Sequence, residues 1–585
     1  MATRSGLDFG TEILATYGPL GFLAVPTPYY TSTFVLSAGA ILAAHFGAVA
    51  VVAHALSRAF GLLATAVLTY LFASIAISAV DPPELLGALV VAVCATRALG
   101  SAGEVGLLTA GSLAVLAALI LLVKLSAGIL ALCVLGVAVS MPLLRTRGRG
   151  RRALVAGLVF IAYVTALVGL WLLSGQPIGN LGTFLAGSAD LVTGYGDAMA
   201  SEEGRRWDYL AALLAAALLA VFVMRATKGR DRATRLVVGA VFAGFLLGAF
   251  RAGFTRHDTG HSIVFFSAVA VAMTGLAMRE HRRIFLFAAI PLLVSALALQ
   301  GVPEAALLDL ERGPKAAVGT ARVLASEEGR EAVQRQGRRD LRAASQLSGD
   351  ALALMRGRTV HVDPWDAQVV WAYPELRWRP APVFQTYFSY TSYLDNLNAD
   401  FLASSAAPAF ILTQPQAIDG RVGQWESPNY VKEVFCRYRQ VLASPPWAIL
   451  SRDRNRCDRP VELARRRVGF GQTVPVPQGP TTNDMVLARV EDIEEPLAQS
   501  VRALLLRPEF LYAKLGRGRD ARFLRGHAGG LHVMRLPECL GEDRSAFDTR
   551  PVPSLSLHTD PRPGQSPSPQ PGSYSIAFFT VRVDC

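Results

Sequence analysis

AALLAAALLAVFVM at residues 211–224 and VVGAVFAGFLLGAF at 237–250 contain no charged side chain. Neither shows the polar stripe of an amphipathic helix or the alternation of a half-buried strand, so each reads as a helix with apolar surroundings on every side. A hydrocarbon core of about 30 Å takes roughly 17 to 25 helical residues to cross. Outward from these two, ten stretches meet or approach that length: 33–57, 61–79, 84–99, 105–123, 126–144, 153–174, 208–226, 236–250, 261–278 and 284–300. The third and eighth are the shortest. Their Ala/Gly/Leu mixtures suit helices that approach one another closely in lipid.

Composition divides the chain at the same place. Residues 1–300 carry 21 Lys/Arg and 13 Asp/Glu, and the remaining 285 carry 36 and 32. The tail is therefore about a quarter charged, as a water-solvated domain is, and the first part far less. A net charge of +12 would ordinarily raise nucleic acid as a partner, but +8 of it sits in the first 300 residues, in short loops between apolar runs. Nucleic acid is not expected. Those loops set orientation, because short cytoplasmic loops are enriched in Lys and Arg. One alternate set holds 15 of them, from Arg58 and Arg97 through the 145–152 and 225–235 clusters to Arg283, and the other set holds 6. Ten spans then place residues 1–32 and the tail on the exoplasmic face of a bacterial plasma membrane. An exoplasmic start without a leader implies one further span upstream.

The expected organisation is an exoplasmic juxtamembrane loop at 1–32, a helical transmembrane domain at 33–300 and a helical connector at 301–355. A small α/β domain at 356–460 and a β-rich, sandwich-like domain at 461–585 follow, with a Pro-rich excursion at 551–572. RTVHVDP, AQVVWAY and AFILTQ read as strands of the α/β part, and TSYLDNLNADFLAS as a helix. QTVPVP, DMVLARVE, SVRALLLRP, GLHVMRLP and YSIAFFTVRV have the spacing of a sandwich. Four cysteines lie in this tail, and pairing sequence neighbours predicts Cys436–Cys457 and Cys539–Cys585, one of three possible connectivities.

No Walker A loop, strand-borne G-x-G-x-x-G, H-E-x-x-H or G-x-S-x-G occurs, so no nucleotide or other cofactor is expected beyond a divalent cation. Four exoplasmic segments hold the ionisable residues. GLDFGTEILATYGPLGFLAVPTPYY at 6–30 carries Asp8 and Glu12, four apart and on one face of a helical turn, followed by Tyr17. It reads either as an interfacial helix entering the membrane or as a catalytic loop. Asp81-Pro-Pro-Glu84 reads as a turn and helix start or as an acidic site. SGQPIGNLGTFLAGSADLVTGYGDAMASEEGRRWD at 174–208 reads as a long loop with Asp190, Tyr195 and Asp197. RAGFTRHDTGH at 251–261 crowds Arg256, His257, Asp258 and His261 into a short turn, which suits a phosphate headgroup, a polar cap or a metal. Lys124 stands at the exoplasmic end of the fourth span, where it snorkels or binds. In the tail, Trp365, Trp371, Trp378, Phe384, Tyr387, Tyr390 and Tyr393 read first as core and second as sugar-stacking surfaces. His361 and Asp363 read as structural.

The pattern G-L-x-F-G-x-E-x-x-x-T-Y-G-P-L-G-F-L at 6–23 resembles the first exoplasmic loop of a group of bacterial polytopic proteins. Segments similar to GYGDAM, AGFTRHDTGH and LRWRPAPVFQTYFSYTSYLDNLNADFL occur in the same group. Its layout is similar to the GT-C superfamily of membrane glycosyltransferases, with many spans, acids in the first exoplasmic loops and an exoplasmic C-terminal domain. That resemblance implies a sugar moved from a polyprenyl-phosphate donor to an envelope glycan or lipid acceptor. Glu12 or Asp8 would serve as base, with Tyr17, Asp81, Glu84, Lys124, Tyr195, Asp197, Arg256, His257, Asp258 and His261 around the substrates. The chain departs from the superfamily in having no adjacent acid pair in its first loop. A non-enzymatic envelope assembly protein is the alternative. A transporter or flippase is disfavoured by the near absence of ionisable residues within the spans.

Overall fold

The computed structural model describes residues 1–58, 60–77, 80–100, 105–144, 148–277, 312–414, 416–493, 509–516, 519–538, 540, 550–559 and 572–584. The chain divides into two compact units. A helical unit comprises Tyr17–Ile178 and Ser201–Gln334, and a layered unit comprises Met1–Thr16, Gly179–Ala200 and Arg335–Cys585.

In the helical unit the helices are α1 Thr31–Ser57, α2 Leu62–Leu71, α3 Pro82–Leu99, α4 Leu107–Val123, α5 Leu125–Ser140, α6 Arg149–Leu173, α8 Arg206–Ala226, α9 Arg232–Phe254 and α10 Thr259–Ala277; α7, Leu181–Met199, belongs to the layered unit. Six of them are long and apolar enough to cross a membrane, and Leu62–Ile77, Leu107–Val123 and Gly260–Leu276 are shorter apolar helices. All nine fall where apolar runs were expected. The run at 284–300 lies outside the described residues. Leu62, Leu108 and Leu173 are among the most exposed apolar side chains of the chain, which suits a lipid-facing surface and not a watery one. Where helices meet, side chains shrink. A Cβ on Gly275 of α10 would stand 2.5 Å from the carbonyl oxygen of Ala92 on α3, and Thr96 donates to the Gly275 carbonyl at 3.1 Å. Asp231 caps α9 by accepting from Thr234 N–H at 2.9 Å.

In the layered unit the connector is helical as expected, with Arg312–Ala325 in the helical unit, then Glu327–Ser345, which crosses the boundary, and Gly349–Met355. The strands are β1 Thr359–Asp363, β2 Arg377–Trp378, β3 Phe410–Thr413, β4 Tyr438–Ser444, β5 Trp447–Arg452, β6 Val461–Gly469, β7 Val474–Pro475, β8 Asp484–Glu491, β9 Leu511–Leu515, β10 Arg519–Phe523, β11 His532–Arg535, β12 Ser554–Thr559 and β13 Ser573–Arg582. They form three sheets, ordered β2-β1-β3-β5-β4, β10-β9-β12-β7 and β11-β8-β13-β6. The first is parallel across β2-β1-β3 and antiparallel beyond.

Period-two alternation explains how these sheets stack. From β8, Met485 and Leu487 enter a core with Tyr430, Val434 and Phe435 of the helix Pro428–Arg437 and with Ile411 and Leu450 of the first sheet. Val486, Ala488 and Val490 point the other way, into a core with Leu511, Ala513, Leu555 and Leu557 of the facing sheet. One strand therefore serves two cores, and the α/β region and the β-sandwich share a layer.

Four expectations change. AQVVWAY is not a strand: Val369–Ala372 is a short helix, buried throughout, and a run of adjacent apolar residues carries no period to separate the two. The segment at 174–208 is not a loop but mostly α7. SLSLHT, assigned to the Pro-rich excursion, is β12, paired on both sides, with Leu555 and Leu557 buried; residues 560–571 lie outside the described residues. β6, unpredicted because VELARRRVG reads as polar, is an outer strand that pairs with β13 and exposes much of its length.

Cys436 and Cys457 are bonded, as predicted; Cys539 and Cys585 lie outside the described residues. The bond ties the helix Pro428–Arg437 to the turn before β6 across 21 residues. We expect Cys457→Ser to cost about 2 to 4 kcal/mol in thermal unfolding of the purified oxidised chain, and the difference from wild type to vanish once a reductant breaks the bond. Equal melting of variant and wild type before reduction would show that the bond does not form.

Candidate functional site

The segment after Thr16 does not begin as a helix. Gly18 N–H donates to the Val123 carbonyl at 3.1 Å and Leu20 N–H to that of Leu122 at 3.2 Å, so Tyr17–Leu20 runs antiparallel to the last turn of α4. α4 and α5 are joined by one residue, Lys124, whose backbone is extended (φ −148°, ψ 112°). Its side chain is held on three sides. Nζ lies 2.6 Å from Glu84 Oε1 and 3.9 Å from Asp81 Oδ2, and 5.4 Å from the centre of the Tyr17 ring. Asp81-Pro-Pro-Glu84 is indeed a helix start, with both prolines in the first turn of α3. It is also more, because it presents Glu84 to the lysine.

The structure thus joins Tyr17, Asp81, Glu84 and Lys124, which come from three separate stretches of sequence. Burial disfavours the Lys124 charge, but Glu84 and Tyr17 outweigh it and hold the ammonium above the usual lysine range; burial likewise raises the Tyr17 phenol. Glu84 is the unusual member. Its Oε1 pairs with the lysine, while its Oε2 is buried and has no hydrogen-bond partner among the described residues. A bare buried carboxylate oxygen is costly, and it is the right atom to receive a proton or a hydroxyl hydrogen bond from a bound molecule.

RAGFTRHDTGH forms a second cluster in the same unit. Asp258 accepts from His261 Nδ1 at 2.8 Å and from Arg256 Nε at 3.2 Å. Burial opposes the Asp258 charge, but hydrogen bonds from His261 hold its carboxyl below the usual range. His257 is buried and turns away, to Asp208 Oδ2 at 3.2 Å. A Cβ on Gly204 would collide with the His257 ring, so the 201–208 segment closes over it. The two histidines therefore serve different carboxylates. Among the described residues no group of three or more His, Cys, Asp or Glu is arranged to hold a metal ion.

Asp8 and Glu12 form a third cluster, in the layered unit. They close one turn, with Glu12 N–H on the Asp8 carbonyl at 2.8 Å and Asp8 N–H on Glu12 Oε2 at 3.1 Å. Glu12 Oε1 accepts from Arg379 at 3.0 Å. The turn is pressed against α7, since Gly10 (φ +97°) has room for no Cβ within 2.6 Å of Phe184 N, and Leu14 N–H reaches the Pro382 carbonyl. α7 itself is anchored to the tail. Thr391 donates to Asp190, Tyr195 meets Tyr390 edge to face, and Asp197 pairs with Arg525 at 3.0 Å. Arg421 and Arg522 donate to the carbonyls of Ala198, in the last turn of α7, and of Ala200, just after it, where a helix end favours cations.

Partners such as Arg379, Asp208, Arg525 and Thr391 carried no sequence signal, because each lies tens to hundreds of residues from the group it meets. Trp371 and Tyr390 are core, as read first, while Tyr393 is 44% exposed. His361 is fully buried and neutral, its pKa pushed down to about 3. Neither a protein-family model nor a curated protein nor a solved structure matches the chain.

Two outcomes follow. Removing one member of a buried pair leaves an uncompensated charge, so Lys124→Met should cost about 3 to 5 kcal/mol and the double change Lys124→Met/Glu84→Leu less than the sum. Thermal unfolding in detergent reads this, and strict additivity would separate the two groups. The second concerns Asp363, which burial raises to about 6 against hydrogen bonds from Thr386 and Thr413. The folded state keeps a proton that the unfolded state releases near pH 4, so this stability is full below about pH 4 and declines towards pH 6. Asp363→Asn should flatten the loss of melting temperature between pH 4.5 and 7, and an unchanged slope would contradict the assignment.

Proposed function

We propose that the chain is an integral membrane transferase similar to the GT-C glycosyltransferases, moving a sugar from a polyprenyl-phosphate donor to an envelope acceptor on the exoplasmic face. The observation that carries this reading is the bare Glu84 Oε2 beside the Lys124 ammonium, at the foot of the Tyr17–Leu23 segment. This pair supplies both halves of the chemistry. The donor phosphate takes the ammonium as its counter-ion. Glu84 Oε2 accepts from the hydroxyl of the sugar acceptor. The hydroxyl oxygen bonds to the anomeric carbon, its proton passes to Glu84, and the sugar–phosphate bond breaks. Lys124 then faces the polyprenyl phosphate that leaves. Glu12, expected as the base, accepts from both Arg379 and the Asp8 amide, which supports Glu84 in that role instead.

Chain parity supports the topology. Residues 1–16 and 179–200 belong to one unit, with α1 to α6 between them, an even number of helices. Between 200 and 335 the described helices of membrane character are α8, α9 and α10, and the run at 284–300 lies outside the described residues. The 15 to 6 partition of Lys and Arg supports an exoplasmic placement of the loops that hold 6.

Loss of a general base lowers a rate by about 10² to 10⁴. In a deletion strain, Glu84→Gln should fail to restore envelope glycans and should accumulate lipid-linked sugar, whereas Glu12→Gln should restore most of the profile. Mass spectrometry of both pools makes the comparison. Full restoration by Glu84→Gln, or a deletion without any glycan change, sinks the transferase reading and leaves an envelope assembly role.

A further inference from the structure

The helical unit has a second site at its other end. Lys124 follows the last residue of α4, while Leu107, the first, lines a cavity of about 1080 Å³. The 17 residues of α4 separate the two by about 25 Å. His54 of α1, Arg97 of α3 and Arg151 and Arg152 of α6 all line this cavity, so its basic side chains come from three helices far apart in sequence. Most of its remaining walls are apolar or small, with Leu154 and Leu158 of α6 prominent beside Thr96 and Thr109, and among the described residues no carboxylate lines it. Such a lining favours an anion over a neutral or wholly apolar molecule, neither of which draws charge-assisted hydrogen bonds from the guanidinium groups. Orientation by positive loops requires only basic residues in loops; it does not require that residues from separate hairpins face one hollow.

We propose that this cavity binds the phosphate headgroup of an anionic membrane lipid, with the upper part of its chain along Leu154 and Leu158. Arg suits phosphate because its planar fork matches the oxygens. Arg97 and Arg152 reach the cavity from two helices, α3 and α6, an arrangement that a single basic stretch does not give. The site is independent of the transfer chemistry at Glu84, and either assignment can fail without the other.

The test uses the full chain in neutral detergent, titrated with phosphatidylglycerol in mixed micelles and followed by thermal shift and native mass spectrometry. Wild type should bind one lipid saturably, and inorganic phosphate at equal concentration should neither bind nor compete. Arg97→Gln/Arg152→Gln should weaken binding by about tenfold or more, given the worth of each cation near an anionic headgroup. Arg149→Gln/Arg232→Gln removes the same charge from residues that do not line the cavity, and should leave affinity within about twofold. Leu158→Trp keeps every cation and puts a bulky ring where the lipid chain is placed; it should reduce binding. Equal losses in the two charge-matched doubles mean diffuse attraction, and unimpaired binding by Leu158→Trp means that the cavity is not the site. Competition by inorganic phosphate would mean a free-anion site. Any of these three results overturns the proposal.

Discussion

A single lysine between two apolar helices constrains the rest of the helical unit. Lys124 cannot be left without a counter-charge where α4 turns into α5, because a buried ammonium without a partner costs several kcal/mol. Glu84 must therefore be delivered to it, which fixes the start of α3 against the α4–α5 turn, and Pro82 and Pro83 set that start. Tyr17 completes the enclosure, and the backbone pairing of Gly18 and Leu20 with the end of α4 follows from it. One charge thus aligns three stretches of chain that no local preference would bring together.

The helices were legible because their signal is local. An apolar run long enough to cross a bilayer reads the same in isolation as in the fold, so α1, α6 and α8 begin and end close to where their residues change character. Most of the sandwich was legible too, since DMVLARVE and YSIAFFTVRV are β-rich and bounded by turn residues. What failed was either ambiguous in period, as with VVWA, or mixed in composition, as with the Gly-rich helix 181–199. SLSLHT shows a further cause. Prolines on both sides masked an alternation whose leucines are core.

The site was legible only as an inventory. Tyr17, Asp81, Glu84 and Lys124 were each visible as polar residues beside apolar runs, but nothing in the sequence said that they meet. The same holds for Glu12, whose partner Arg379 is 367 residues away. Acidity near a membrane boundary marks candidates; which carboxylate keeps an oxygen bare is decided by its neighbours, and those are set by tertiary packing.

The layered unit is assembled from pieces that the ribosome releases far apart. Leu7, Phe9, Ile13 and Leu14 are buried in it, yet Arg379 and Pro382, which hold that turn, emerge only after the described apolar helices α1 to α10. Until then this apolar segment has no folded partner, and closing so long a loop is entropically slow. β13, which lies between β8 and β6 in the third sheet, emerges later still, so neither of the two cores it feeds can close before it arrives. Synthesis consequently imposes a long interval in which the apolar helices are complete before the layered unit can close, and through it Leu7, Phe9, Ile13 and Leu14 stay without the core that buries them.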